Sequence, residues 1–263
     1  MGQVEEILLS MEGFSQSPRK VWVYLPDSYA HSHKKYDVLY MFDGHNLFFD
    51  ELATYGKCWG LKDYLDKNQL DLVVIGQDCN HTSNRRLSEY CPDALINTDL
   101  EDLPHFKAKG VATAEWFVNV LKPYCETKYH IAKDRMHVGI GGSSMGGLMS
   151  EYMIAKYNSF FSKAACVSPS THFNYDFLMH LINQTNFKET WIYLDQGSQE
   201  VHGKRLFIDS MDLMLQLNHN LNEKGCHTYP HLVPGGHHTE ADWEKVVMIF
   251  LPYLFPDLYN KKR

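Results

Sequence analysis

The sequence predicts an α/β fold, a doubly wound and mostly parallel sheet with antiparallel N-terminal strands. Three observations carry that expectation. Val38-Leu39-Tyr40-Met41-Phe42 and Leu72-Val73-Val74-Ile75-Gly76 are unbroken apolar runs, the pattern of strands covered on both faces. Strand-like and helix-like stretches then alternate toward the C-terminus. Between two of them, Gly142-Ser143-Ser144-Met145-Gly146 joins a strand-like run to a helix-like one. A length of 263 residues is ordinary for one α/β domain, and 44% hydrophobic content supplies a sizeable core. A single domain over residues 1–263 is expected.

Taken in order, Lys20-Val21-Trp22-Val23-Tyr24-Leu25 alternates and stops at Pro26-Asp27, an early antiparallel strand closed by a turn. The two apolar runs follow as central strands. Helices are predicted from Trp59 to Lys67, Thr113 to Tyr124, Met145 to Tyr157 and Lys204 to Glu223. Strands are predicted over Met136 to Ile140, Ala164 to Ser168, Trp191 to Leu194 and Thr228 to Val233. Two stretches resist the alternation. Cys79 through Lys109 is polar and rich in Asn, Asp and Pro, and Phe173 through Lys188 follows Pro169. Each follows a strand whose C-terminal end faces the crevice where open α/β sheets bind ligands, so both are expected to wall a substrate pocket. The tail from Asn260 to Arg263 reads as a frayed basic end.

Charge narrows the partners. A net charge of −7 and a pI near 6.1 leave no basic footprint for nucleic acid or an anionic membrane. The N-terminal residues carry acid where a secretory signal needs base, and Ile7-Leu8-Leu9 is too short for its apolar region. No apolar run approaches the length of a membrane span, and Glu6 stands where a myristoylation signal after Gly2 needs Ser or Thr. A cytoplasmic location is therefore expected. The six cysteines, at 58, 79, 91, 125, 166 and 226, are irregularly spaced and read as small buried hydrophobes.

The chemistry is concentrated at Ser144. In a G-x-S-x-G elbow the serine sits on a sharp strand-to-helix turn, so the residues two before and two after it must lack side chains. Gly142 and Gly146 meet that need, and centring the pattern on Ser143 would demand glycine at Met145. A phosphate-binding turn is the competing reading, but the lysine of a P-loop is missing. A serine hydroxyl needs a base, and the base a carboxylate, which in α/β-hydrolases follow in the order Ser, acid, His. Downstream, Trp191-Ile192-Tyr193-Leu194-Asp195 runs into a turn ending at Glu200, and His231-Leu232-Val233 runs into Pro234-Gly235-Gly236-His237-His238. Asp195 and Glu200 compete as the acid, and Asp195, as a strand residue, belongs to the rim of the sheet. His237 and His238 compete as the base. The elbow places one oxyanion donor on the amide of Met145. Neither His31-Ser32-His33 nor His237-His238 has a matching carboxylate or cysteine spacing, so no metal and no cofactor are expected.

Three stretches together resemble the Putative esterase family of α/β-hydrolases, which includes S-formylglutathione hydrolase, enterochelin esterases, feruloyl esterase modules and mycolyltransferases. Tyr40 through Asp50 is similar to a family strand ending in Asp-Gly-Gln-Asn-Leu-Phe; Gly142 through Gly147 has the methionine and doubled glycine typical of its elbow; the third stretch is Gly236 through Trp243. Asn84 through Pro92 is similar to a segment of bacterial members. The resemblance covers nearly the whole chain and implies the base and the acid. The family histidine precedes a tryptophan by five residues, with Glu two after it, which selects His238 with Glu240 and Trp243. Its acid closes a Gly-Ser/Thr-x-Asp/Glu turn, which selects Glu200, and its Asp-Gly-x turn implies the His45 amide as the second oxyanion donor. A serine carboxylesterase acting on a small-molecule ester is expected, with an acyltransferase or a non-catalytic binding protein as alternatives. Oligomeric state and the particular ester stay open.

Overall fold

The computed structural model, which describes residues 1–11, 17–94, 106–201 and 203–260, places eight strands in one sheet. They are β1 Gln3–Leu9, β2 Arg19–Leu25, β3 Asp37–Met41, β4 Leu72–Gln77, β5 Val138–Ser143, β6 Lys163–Val167, β7 Trp191–Gly197 and β8 His227–Val233. Their order across the sheet is β1-β2-β4-β3-β5-β6-β7-β8, antiparallel at β1·β2 and β2·β4 and parallel from β4 onward. Nine helices of the described chain follow: α1 Leu61–Asn68, α2 Arg85–Glu89, α3 Gly110–Trp116, α4 Lys122–Lys128, α5 Met145–Lys156, α6 Tyr175–Gln184, α7 Lys204–Glu223, α8 Glu240–Leu254 and α9 Asp257–Asn260.

The period of two in each strand splits the core into two layers. Val38, Tyr40, Val73, Ile75, Ile140 and Cys166 point to one face, under the apolar sides of α3 to α7. Leu39, Met41, Leu72, Val74, Ala165 and Val167 point to the other, under α1, α8 and α9. That double covering is why the central strands read as continuous apolar runs. The strand order, with its antiparallel start and the β3–β4 reversal, is that of the α/β-hydrolase fold expected from the sequence. At the sheet edge, β8 tolerates Pro230, because an edge strand can lose one N–H donor without breaking a ladder on both sides.

Four differences from the sequence reading have physical reasons. Ile7-Leu8-Leu9, weighed there only as a leader, belongs to β1; as an edge strand with one buried face it shows little periodicity beyond Ile7 and Leu9. The predicted helix over Thr113–Tyr124 extends from Gly110 to Lys128 and is interrupted by a π turn at Phe117–Leu121, just before Pro123, whose nitrogen cannot donate. The strand before the elbow starts at Val138, since Arg135–His137 forms a short 3-10 turn. No residue of Phe173 through Lys188 lines the cleft that holds Ser144 and His238, and α6 turns Leu178 and Ile182 into the core. Of the other predicted wall, residues 95–105 lie outside the described residues, as do residues 261–263 of the tail. All six cysteines are free and buried.

Candidate active site

The chain leaves β3 to build β4 on one side and returns across it to build β5 on the other, so the C-terminal ends of β3 and β5 adjoin at a switch point of the sheet. A cleft of about 640 Å³ opens there, lined by His45, Ser144, His238, Arg86, Cys79 and Trp243 among others. Arg86, Cys79, Asn80, His81 and Ser83 come from the polar stretch after β4, which does wall the pocket where it is described.

Ser144 occupies the elbow with φ 58° and ψ −124°, a positive-φ conformation outside the regions that side-chain-bearing residues prefer. The turn is held by its own backbone: Ser144 N donates to Val167 O at 3.1 Å, and Ser170 N donates to Ser144 O at 3.0 Å. It is also tight. A Cβ on Gly142 would stand 2.8 Å from the carbonyl of Gly146, so the glycine is a steric requirement. Met145 begins α5, and its amide, in the first helical turn, has no intrahelical acceptor. Across the cleft, Asp43 adopts φ 55° and ψ 51° and turns the chain into the 3-10 segment Gly44–Asn46, which carries His45. Gly44 packs so closely on β4 that a Cβ would lie 2.2 Å from Gly76 O.

The turn after β7 brings Glu200 to His238. His238 Nδ1 donates to Glu200 Oε2 at 2.9 Å, and the carboxylate is itself held by Gly197 N and Ser168 Oγ on Oε1, each at 2.6 Å, and by Gln196 Nε2 on Oε2 at 2.9 Å. The His238 ring lies edge-on to Trp243, centroids 5.0 Å apart, and Trp243 Nε1 donates to Ser168 Oγ at 2.9 Å. Thus the tryptophan five residues after the histidine closes a ring of contacts around the Glu200–His238 pair. Glu240 accepts a hydrogen bond from Asn46 Nδ2 at 3.0 Å, tying the histidine loop to the β3 turn.

The rival residues are placed elsewhere. Asp195 is buried in β7, where Oδ1 accepts from Ser168 N at 2.6 Å and Oδ2 from Tyr193 OH at 2.8 Å; burial pushes its pKa up to about 7. His237 is exposed and engages Asp242, its amide donating to Oδ2 at 2.9 Å. Ser144 Oγ lies 3.4 Å from Ser170 Oγ, and among the described residues no hydrogen bond joins it to His238. Both side chains line the same cleft.

Sequence reasoning missed several members. Arg86 forms a two-pronged pair with Asp43, Nε to Oδ1 at 2.8 Å and Nη2 to Oδ2 at 2.7 Å, gripping the turn that carries His45. Ser170 and Ser168 were likewise not singled out, because an isolated serine in a loop has no sequence signature. His172 is close enough to His238 to feel its charge, which adds to burial in lowering the His172 pKa. The sequence reading weighed only His31-Ser32-His33 and His237-His238 as metal candidates; among the described residues, His45, Asp78, Cys79 and His81 come together at the cleft wall with ligand atoms close enough to share an ion. Their spacing hid them, since His45 lies on a different strand end from the other three.

The comparisons with known proteins agree with this architecture. An uncharacterized protein of Bacillus subtilis, YbbA, is 26% identical over 211 residues, 79% of either chain. An IroE-like serine hydrolase from Shewanella oneidensis superposes with a TM-score of 0.75 at 18% identity, covering 98% of this chain and 81% of that one. A siderophore hydrolase, EstA, from Aspergillus nidulans superposes with a TM-score of 0.69 at 17% identity, covering 93% of each. At these identities the two structures speak for the shared fold. The family model described as Putative esterase matches residues 14–249, nearly the whole chain, so the protein belongs to the Putative esterase family of α/β-hydrolases.

Proposed function

We propose that the protein is a serine carboxylesterase in which Ser144, His238 and Glu200 act as nucleophile, base and orienting acid. The observation that carries the reading is the strained elbow serine facing the same cleft as a histidine whose Nδ1 is held 2.9 Å from a carboxylate. Glu200 keeps the proton on Nδ1, so Nε2 presents its lone pair to the cleft. A rotation about χ1 takes Ser144 Oγ from Ser170 toward that nitrogen, in keeping with catalytic hydrogen bonds that tighten only with substrate bound. Oγ then attacks the ester carbonyl as Nε2 takes its proton. The amides of Met145 and His45 donate to the oxyanion, and the Arg86–Asp43 pair holds the second donor in place. Collapse expels the alcohol, protonated by His238, and a water activated by the same ring releases the acid.

These steps need no metal and no cofactor. A fluorophosphonate probe should label the wild type at Ser144 and leave Ser144→Ala unlabelled. Ester hydrolysis should fall to background in that variant while its circular dichroism is unchanged. Turnover persisting in the pure variant would move the nucleophile elsewhere. An acyltransferase would use the same acyl-enzyme, and product analysis with and without an added acceptor alcohol separates the two. A panel of esters graded in acyl and alcohol size would define the substrate class.

A further inference from the structure

β3 and β4 are parallel neighbours, so the turn after one and the loop after the other leave the sheet side by side. His45 comes from the first, Asp78, Cys79 and His81 from the second, and one donor atom of each lies within 4.8 Å of the other three. Asp78 Oδ1 is the centre, 2.8 Å from His45 Nδ1 and 2.8 Å from His81 Nε2, with Cys79 Sγ 4.0 Å from His81 Nδ1. The two imidazole rings meet edge to face, centroids 4.5 Å apart.

A carboxylate between two histidines can be an ordinary polar network. Two features exceed that. His45 is buried, and its Nδ1 faces the Asp78 carboxylate at 2.8 Å, aimed into the cluster. Its other nitrogen, Nε2, is engaged by Thr54 Oγ1 at 2.9 Å, the outer contact that commonly fixes a metal-bound imidazole and leaves the opposite nitrogen free to ligate. Second, the buried Cys79 thiol completes a set of two imidazoles, one carboxylate and one sulfur. That set suits a borderline-soft ion and excludes the all-oxygen shells of calcium and magnesium.

We propose that His45, Asp78, Cys79 and His81 bind one divalent transition-metal ion of the zinc class in the wall of the cleft. Ligation requires the Cys79 thiol to give up its proton to solvent, and no electron changes hands. His81, 56% exposed on its side chain, is the entrance; the other three ligands are buried. The ion ties the β3 turn, which carries the proposed oxyanion donor His45, to the β4 loop; Ser144, His238 and Glu200 are not ligands. The site does not rest on the esterase reading.

The test uses the full chain, stripped with a chelator and titrated under argon with Co²⁺ and then Zn²⁺. One Co²⁺ per chain is expected, with visible d–d bands, a thiolate-to-cobalt band in the near ultraviolet, displacement by Zn²⁺ and a raised Tm on loading. Cys79→Ser should abolish the thiolate band. His81→Ala, at an exposed position that threatens folding little, should weaken binding by at least roughly tenfold. Replacing both His31 and His33 by Ala should leave the titration as in the wild type. Absence of a one-to-one cobalt spectrum would overturn the proposal, as would a thiolate band that survives Cys79→Ser or affinity unchanged by His81→Ala. Fluorophosphonate labelling of both the stripped and the loaded protein reports separately on the esterase reading: if Ser144 stayed unlabelled in both, that reading would fall while the site stood.

Discussion

Two carboxylates five residues apart on the same strand and turn have opposite surroundings. Glu200 accepts from three protein donors and still reaches His238, whereas Asp195 is enclosed by the sheet and spends its oxygens on Ser168 N and Tyr193 OH. The longer side chain of glutamate spans from the turn to the imidazole, a reach the strand-bound aspartate lacks. Glu200→Gln should therefore lower kcat by up to about 10⁴ with KM nearly unchanged, since an amide neither fixes the tautomer nor stabilises the imidazolium. Asp195→Asn should instead lower the urea midpoint and leave kcat close to that of the wild type. Steady-state kinetics on the two variants decide the assignment; the opposite ranking hands the acid to Asp195. By the same logic His238→Ala should cost about as much as Ser144→Ala, and His237→Ala, at an exposed residue tied to Asp242, far less.

At the scale of elements, two turns set the candidate chemistry by steric and ionic means. The elbow exists because β5 can run into α5 only if Gly142 approaches Gly146 without a side chain. Gly142→Ala should destabilise the fold by about 2–3 kcal/mol, since the Cβ meets backbone that cannot move aside; thermal unfolding measures it. The β3 turn depends on Asp43 in a left-handed conformation, with its carboxylate gripped by Arg86. Asp43 is buried and Arg86 mostly so, with side-chain exposures of 5% and 29%. Arg86→Met strands the carboxylate and should cost about 3 kcal/mol. Arg86→Lys should restore stability only in part and turnover less, because a single ammonium cannot hold both oxygens and leaves the turn of His45, the proposed oxyanion donor, less fixed. Equal activity in the lysine variant would show that charge alone suffices.

The whole molecule carries a buried acid that couples folding to pH. Glu151 of α5 lies wholly within the core on the elbow side of the sheet, with Thr171 Oγ1 2.8 and 2.9 Å from its two oxygens. Burial pushes its pKa up to about 8 from an ordinary 4.5, more than the Thr171 hydrogen bonds offset. Between those values the folded protein keeps a proton that the unfolded chain has released, so stability declines as pH rises through this window and the loss is complete above about 8. Asp195, with its pKa near 7, adds to the same slope. Urea unfolding at pH 5.5 and 8.5 should show a smaller decline for Glu151→Gln than for the wild type, the difference amounting to several kcal/mol at most. A decline as steep in the variant would assign the pH dependence to other groups.

Much of the architecture was legible because local constraints wrote it into the chain. Strands buried on both faces must be continuously apolar, and a serine on a sharp turn must be flanked by glycines; Val38–Phe42, Leu72–Gly76 and Gly142–Gly146 display those needs without reference to anything distant. β1 was not legible, because an edge strand with one buried face has little pattern to show. Nor was α6, whose loop-like lead-in after Pro169 concealed a helix held by Leu178 and Ile182. At the site, sequence supplied candidates in a plausible order, and tertiary structure decided proximity. It put His238 against Glu200 and left Ser144 Oγ beside Ser170. It set Arg86 on Asp43 across 43 residues, and brought His45 to Asp78, Cys79 and His81. Residue type and spacing along one strand or helix are local quantities and can be read in a row of letters. Contacts between separate strand ends depend on the order in which the sheet is wound, and only the folded chain determines which ends meet.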